Sequence, residues 1–284
     1  MSGVPRGYPP LREISEVSEL EMANLPLRRI SFPQIQVALD MDSDIKTIVD
    51  VAVKAFKGGA RIIEAGTPAI KRHGADTLIP ALRNSLDKLR DEGFKNDYVI
   101  VADMKVMDVG DLEARIAYRA GADIVCVLGI GSINKIKEAL SEAIRKDKAI
   151  IIDLIQCDNP LAKIDEIREE IGEFEDWFSF CIHRGISEQK KGRGIHEDKT
   201  LIEEVKKKVG ASPLFVAGGI KEGVIKDVVA YGGDVCVIGG AIYTSVNPEE
   251  SVKRMLEEAR KYYHQNLISK GSDKTPHSVA PFKV

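Results

Sequence analysis

The sequence predicts an α/β protein built as a single (β/α)8 TIM barrel, and three observations carry that reading. From Gln34 onward, eight short apolar runs alternate with longer segments of helical period. The runs are apolar almost throughout rather than every second residue, as parallel strands covered on both faces must be. The eight units occupy about 220 residues, close to the roughly 250 that such a barrel takes.

The runs are IQVAL (35–39), RIIEA (61–65), YVIVAD (98–103), DIVCVL (123–128), AIIIDL (149–154), WFSFCIH (177–183), PLFVA (213–217) and DVCVIG (234–239). After the first comes SDIKTIVDVAVKAF, with Ser43 as the expected N-cap and Ile45, Ile48, Val49, Ala52 and Val53 on one face. Later intervals carry GDLEARIAYRAG, SINKIKEALSEAIRK, PLAKIDEIREEIG, DKTLIEEVKKKVG, GVIKDVVAYGG and PEESVKRMLEEARKYY. Two of these end in Ala-Gly or Gly-Gly just before the next run, as a helix C-cap requires. Strands that alternate with helices pair in parallel, because parallel neighbours need a crossover connection. An open doubly wound sheet is the alternative, but no GxGxxG follows the first strand.

The barrel is assigned residues 34–268. Residues 1–33 fall outside its rhythm as an N-terminal extension: Pro5, Pro9 and Pro10 open it, and Leu11 to Met22 reads as one acidic helix. Residues 269–284, with Gly, Ser, Lys and two prolines, read as a flexible C-terminal tail.

Composition narrows the function classes. A formal net charge of -3 gives no nucleic-acid footprint, and a basic run such as Lys206 to Lys208 reads as a solvated helix face. No apolar stretch approaches the ~18 residues of a membrane span, and the N-terminus lacks a signal-peptide pattern, so an intracellular, cytoplasmic protein is expected. Cys126, Cys157, Cys181 and Cys236 are far apart and form no CxxC pair, which argues for small core residues rather than a zinc site or a disulfide frame.

A barrel of this kind carries its active site at the C-terminal ends of the strands. Strand one ends in Asp40, strand two carries Glu64 near its end, strand three ends in Asp103 with Lys105 beyond, strand five has Asp153, and strand six ends in His183. One aspartate at a strand end is more often a helix N-cap than a catalyst; the joint placement is the argument. The last two strands run instead into AGGI and IGGAI, where Gly218, Gly219, Gly239 and Gly240 would let backbone N–H groups approach a phosphate. A phosphorylated small molecule is the expected substrate. Glu64 and Asp103, on neighbouring strands, could share one hard divalent cation such as magnesium, and Lys105, among carboxylates, would stay cationic and could stabilise an enediolate oxyanion.

Taken together, QVALD (36–40), EAGTP (64–68), VADMKVMD (101–108), HRGISEQ (183–189), AGGI and GGAI resemble the 3-hexulose-6-phosphate synthase family of the orotidine monophosphate decarboxylase superfamily, over about Gln34 to Ser245. DxKxxD marks the superfamily, whereas EAGTP with HxGxxxQ is more selective. The resemblance implies a magnesium-dependent, reversible aldol reaction: D-ribulose 5-phosphate forms a 1,2-enediolate that attacks formaldehyde to give D-arabino-hex-3-ulose 6-phosphate. It implies Glu64 and Asp103 as metal ligands, Lys105 as enediolate stabiliser, His183 as acid-base group, and Asp40 as a holder of substrate hydroxyls and Lys105. It further implies a homodimer in which Asp108 reaches into the neighbouring subunit's site, with the four glycines cradling the phosphate.

Related families depart from this pattern. Orotidine monophosphate decarboxylases are metal-free and usually have lysine where Glu64 stands, and the 3-keto-gulonate-6-phosphate decarboxylases place an arginine where this chain has Ile186. Within the synthase pattern, Ser187 stands where an aspartate is common, and KKGRGIHED after Gln189 is unusually basic and glycine-rich, readable as a mobile lid. A decarboxylase on a 3-keto sugar-acid phosphate and a non-catalytic sugar-phosphate binding protein remain as alternatives.

Overall fold

The computed structural model describes residues 22–94 and 97–269. Every predicted run is a strand: β1 (Gln34–Ala38), β2 (Ile62–Ala65), β3 (Val99–Val106), β4 (Ile124–Leu128), β5 (Ala149–Asp153), β6 (Phe178–His183), β7 (Leu214–Ala217) and β8 (Val235–Ile238). They pair in parallel in sequence order, and β8 returns to β1 to close the barrel.

The helices are α1 (Ile45–Lys57), α2 (Thr67–His73), α3 (Ala75–Asp91), α4 (Gly110–Ala120), α5 (Asn134–Ile144), α6 (Pro160–Ile171), α7 (Ile186–Gln189), α8 (Lys199–Val209), α9 (Ile225–Ala230), α10 (Gly240–Tyr243) and α11 (Pro248–Ser269). The N-cap of α1 is Asp44 rather than Ser43, because the Asp44 carboxylate accepts from both the backbone N and the hydroxyl of Thr47, each at 2.9 Å.

One strand departs from the predicted boundaries in a way that matters. β3 runs three residues past Asp103, and between Ala102 and Val106 it advances four residues while β4 advances only two. The surplus is taken up as a bulge in which Lys105 adopts φ 49°, a left-handed conformation rarely held by a side chain of that size.

The core has two layers. The larger packs the outward faces of the strands against the helices, and the smaller fills the barrel interior with residues such as Ile62, Val101, Ile124, Ile151 and Phe215. Leu27 and Ile30 join that interior layer, so residues preceding β1 close the barrel at the N-terminal ends of the strands. Arg29 lies there within 3.7 Å of Asp123, which also accepts from the Ile100 backbone N (2.9 Å), the Lys148 Nζ (2.9 Å) and Arg83. Burial alone would raise the Asp123 pKa, but Arg83 and Lys148 outweigh it and hold the carboxylate below its ordinary range. Of the expected extension, residues 1–21 lie outside the described residues, and the expected acidic helix falls there except for Met22. The expected flexible tail lies outside them from residue 270 onward.

The cysteines are free thiols; Cys126, Cys181 and Cys236 are buried and Cys157 is half-buried, as small core residues should be. Lys206 is more than a solvated helix face, since its Nζ reaches Asp234 Oδ2 at 2.7 Å and the Ser212 carbonyl at 3.0 Å. No helix among the described residues is long and apolar enough to cross a membrane.

Candidate active site

A cavity of about 1100 Å³ opens at the C-terminal ends of the strands, and Asp40, Glu64, Asp103, Lys105, Asp153 and His183 all line it. Parallel register sets the acidic cluster: Glu64 is paired with Ala38 of β1 and with Val101 of β3, which brings the end of each strand to one level. Oxygens of Asp40, Glu64 and Asp103 lie within 4.8 Å of one another. The approach depends on Gly66, where a Cβ would stand 2.3 Å from Asp40 Oδ1 and 2.8 Å from the Leu39 carbonyl.

Three acids this close cannot all be comfortable as anions. Burial, then the charges of Asp103 and Asp40, push the Glu64 carboxyl well above its usual range against the pull of Lys105 and a hydrogen bond from Gln36. Asp40 reaches solvent at the cavity mouth, yet restricted hydration between the walls, and then Asp103, raise it too. Thr67 Oγ1 donates to the carbonyl of Asp103 at 2.7 Å or to its Oδ2 at 2.9 Å, fixing that side chain. Gln36 gives its Nε2 to Glu64, while its buried Oε1 has no hydrogen-bond partner. An all-oxygen donor set with excess negative charge is what a hard divalent cation requires.

The bulge in β3 turns Lys105 inward, where Nζ sits 2.8 Å from both oxygens of Asp103 and 2.8 Å from Asp153 Oδ2. Burial opposes a charge there, but Asp103 and Asp153 outweigh it and raise the lysine above its ordinary pKa, so it is an ammonium at any working pH. Asp153 Oδ2 also accepts from His183 Nδ1 at 3.1 Å, and its Oδ1 accepts from the Ile155 backbone N at 3.0 Å. Although burial disfavours the Asp153 anion, His183 and Lys105 bring its pKa down to about 2. With Nδ1 donating to Asp153, Nε2 is the imidazole nitrogen left to take a proton.

The glycine turns after β7 and β8 also line the cavity. Gly218 and Gly219 have φ of 117° and 73°, and a Cβ on Gly218 would stand 2.5 Å from the Arg184 carbonyl. Gly239 and Gly240 lead into the short helix α10. The basic segment after Gln189 is anchored at Ile195, which is buried and whose backbone N donates to the Gly218 carbonyl at 3.0 Å. Ile186 lines the cavity, whereas Ser187 does not.

Asp108 is the one expected site residue that the fold does not bring to this cavity. It is exposed beyond the end of β3, outside the lining, between Met107 and Val109, which are exposed with Leu112. Sequence reasoning gave no role to Asp153, Gln36 or Thr67. The signal for Gln36 was a glutamine inside an apolar strand, and for Thr67 its place in EAGTP.

The chain belongs to the orotidine 5'-phosphate decarboxylase / HUMPS family, whose model matches residues 33–255. Among its relatives is the 3-hexulose-6-phosphate synthase of Mycobacterium gastri, 33% identical over 222 residues that span 78% of this chain and 97% of that protein. The crystal structure of 3-hexulose-6-phosphate synthase from Salmonella typhimurium superposes with a TM-score of 0.67 at 25% identity, covering 81% of this chain and 99% of that one. The 3-keto-L-gulonate-6-phosphate decarboxylase of Vibrio cholerae, at 20% identity and a TM-score of 0.64 over 82% of this chain and 99% of its own, shares the fold.

Proposed function

We propose that the chain is a 3-hexulose-6-phosphate synthase that joins D-ribulose 5-phosphate and formaldehyde in a reversible aldol reaction. The observation that carries this reading is the network in one cavity of an acidic cluster, the Lys105 ammonium and the Asp153–His183 pair. Its chemistry needs a proton taken from carbon, a developing oxyanion held, and an aldehyde admitted.

Glu64 and Asp103, with Asp40 beside them, fit a magnesium ion, since every donor is oxygen and the raised Glu64 carboxyl and unpartnered Gln36 Oε1 are both relieved by a cation. Bound there, magnesium would act as a Lewis acid on the substrate's carbonyl oxygen. His183 Nε2 takes a proton from C1 of the ribulose, and the electron pair moves into the carbonyl to give the 1,2-enediolate. Lys105, kept cationic by Asp103 and Asp153, neutralises the enediolate oxygen. C1 then bonds to the formaldehyde carbon, the carbonyl at C2 reforms, and the imidazolium returns its proton to the new alkoxide. Asp40 accepts from substrate hydroxyls at the mouth, and the backbone of Gly218, Gly219, Gly239 and Gly240 receives the phosphate.

Ile186 at the mouth is 62% exposed and uncharged, so it offers nothing to a sugar-acid carboxylate, which favours the aldol reading over decarboxylation. Asp108 serves the site of a second copy in a homodimer, with Met107, Val109 and Leu112 as the apolar surround that such contact would cover. A cytoplasmic location keeps the four thiols reduced. The test is formaldehyde loss in the presence of ribulose 5-phosphate, with magnesium and with excess chelator. Magnesium-dependent loss is expected; no loss in either condition would overturn the reading.

A further inference from the structure

The glycine turns after β7 and β8 lack an obvious counter-charge. A phosphate monoester carries close to two negative charges near neutral pH, whereas backbone N–H groups offer only partial dipoles. Among the described residues no arginine lines the cavity, and Lys105 is already held by Asp103 and Asp153. The basic residues around the segment after β6 are largely neutralised. Arg184 is paired with Asp198 at 2.9 Å, Lys191 with Glu188 at 2.8 Å, and Arg193 with Glu188 at 3.5 Å.

Of the basic side chains near this segment that are outside this pairing, Lys221 and His196 line the cavity, whereas Lys190 does not. Lys221 follows Gly219 by two residues and is exposed; its carbonyl accepts from the Val224 backbone N at 3.2 Å, and its Nζ has no ion pair among the described residues. His196 is fixed beside the same turn by a chain of close contacts. Its ring lies against Gly194, where a Cβ would stand 2.3 Å from Cε1, and Gly194 Cα in turn lies 3.2 Å from where a Cβ on Gly219 would be. The hydrogen bond from the Ile195 backbone N to the Gly218 carbonyl locks that arrangement. The His196 Nδ1 is buried against Gly194 without a hydrogen-bond partner, while the residue as a whole is half-buried in the cavity wall. Glu197, the acid of this turn, also lines the cavity, and its Oε1 accepts from the backbone N of Gly194 at 3.0 Å, which turns that oxygen toward the loop backbone.

We propose that Lys221 and His196 are the side-chain half of a phosphate subsite, completing the cradle made by the glycine backbone and selecting a phosphate monoester over an uncharged sugar. This inference rests on the sugar-phosphate reading above, and it gives a use to the basic, glycine-rich segment that the aldol chemistry leaves unexplained.

The experiment is calorimetric titration of the full chain with inorganic phosphate, without formaldehyde. Wild type is expected to bind, and Lys221→Ala and His196→Ala each to raise the Kd about tenfold. His196→Gln, which keeps a donor, should recover part of the loss. Lys190→Ala, an exposed basic residue of the same segment outside the cavity lining, should match wild type. The KM for ribulose 5-phosphate should rise in parallel with the Kd. Wild type that binds no phosphate, or an unchanged Kd in both alanine variants, would overturn the proposal; if His196→Ala fails to fold, the exposed Lys221→Ala decides. A protein that binds phosphate through these two residues yet consumes no formaldehyde would lose the synthase reading and keep this one. A protein that consumes formaldehyde with an unchanged Kd would do the reverse.

Discussion

Glu64 is where the physical strain of the site is concentrated. The residue is 4% exposed, and its carboxyl is pushed well above its usual pKa by burial and by Asp103 and Asp40, so as an anion without a cation it weakens the fold. Glu64→Gln removes that charge while keeping the shape and an oxygen near Gln36. In the presence of chelator this variant should melt about 2–4 °C above wild type, as expected for roughly 1 kcal/mol in a chain of this size, and magnesium should no longer raise its melting temperature. The raised pKa also fixes the sign of the pH effect. Protons compete with the cation for Glu64 up to a higher pH than for an ordinary carboxylate, so magnesium affinity in wild type should climb as pH rises and flatten once Glu64 is ionised. Isothermal titration at several pH values checks this, and an affinity flat across the acidic and neutral range would refute it. The carboxylates themselves were legible in the sequence because each stands at the end of an apolar run. Asp153 was visible in the same way but had no partner in one dimension: its hold on both Lys105 and His183 is made across three strands.

The strands were legible because burial on both faces leaves them nearly free of polar residues, and every one of them formed within a few residues of its predicted limits. The bulge in β3 was not, because Met104 and Val106 continue the apolar character and nothing local marks Lys105 for a left-handed backbone. Residues before β1 were equally opaque, since Leu27 and Ile30 have no periodicity that would join them to the barrel interior. The glycine turns allow a sharper test of what backbone conformation contributes. Gly74 and Gly218 both have positive φ, at 79° and 117°, but a Cβ on Gly74 would meet nothing within 4 Å whereas one on Gly218 would stand 2.5 Å from the Arg184 carbonyl. Gly74→Ala should therefore cost about 1–3 kcal/mol from conformation alone, and Gly218→Ala should cost more than Gly74→Ala because a backbone atom must also move. Urea denaturation of the two variants measures the difference, and equal costs would mean that the turn after β7 yields without resistance.

At the scale of the whole molecule, the proposed cross-subunit role of Asp108 is a matter of how two chains combine. Asp108 lies outside its own cavity, beside exposed Met107, Val109 and Leu112. If it acts across a homodimer, then each site combines Lys105 of one chain with Asp108 of the other, and the two residues can be separated genetically. Lys105→Ala and Asp108→Ala should each be nearly inactive alone. When equal amounts are mixed under conditions that exchange subunits, half of the dimers carry one chain of each kind. In those dimers one site has lost both residues, while the other pairs an intact Lys105 with an intact Asp108. The mixture should regain about a quarter of wild-type formaldehyde consumption. Should Asp108 act only within its own chain, every site in every dimer would lack one residue or the other, and mixing would restore nothing. An apolar-to-charged change at the same surface, Leu112→Asp, supplies the independent arm: it should shift sedimentation toward the monomer and reduce turnover in proportion, because a monomer would hold the Lys105–Asp153–His183 network intact but lack the carboxylate that its partner provides.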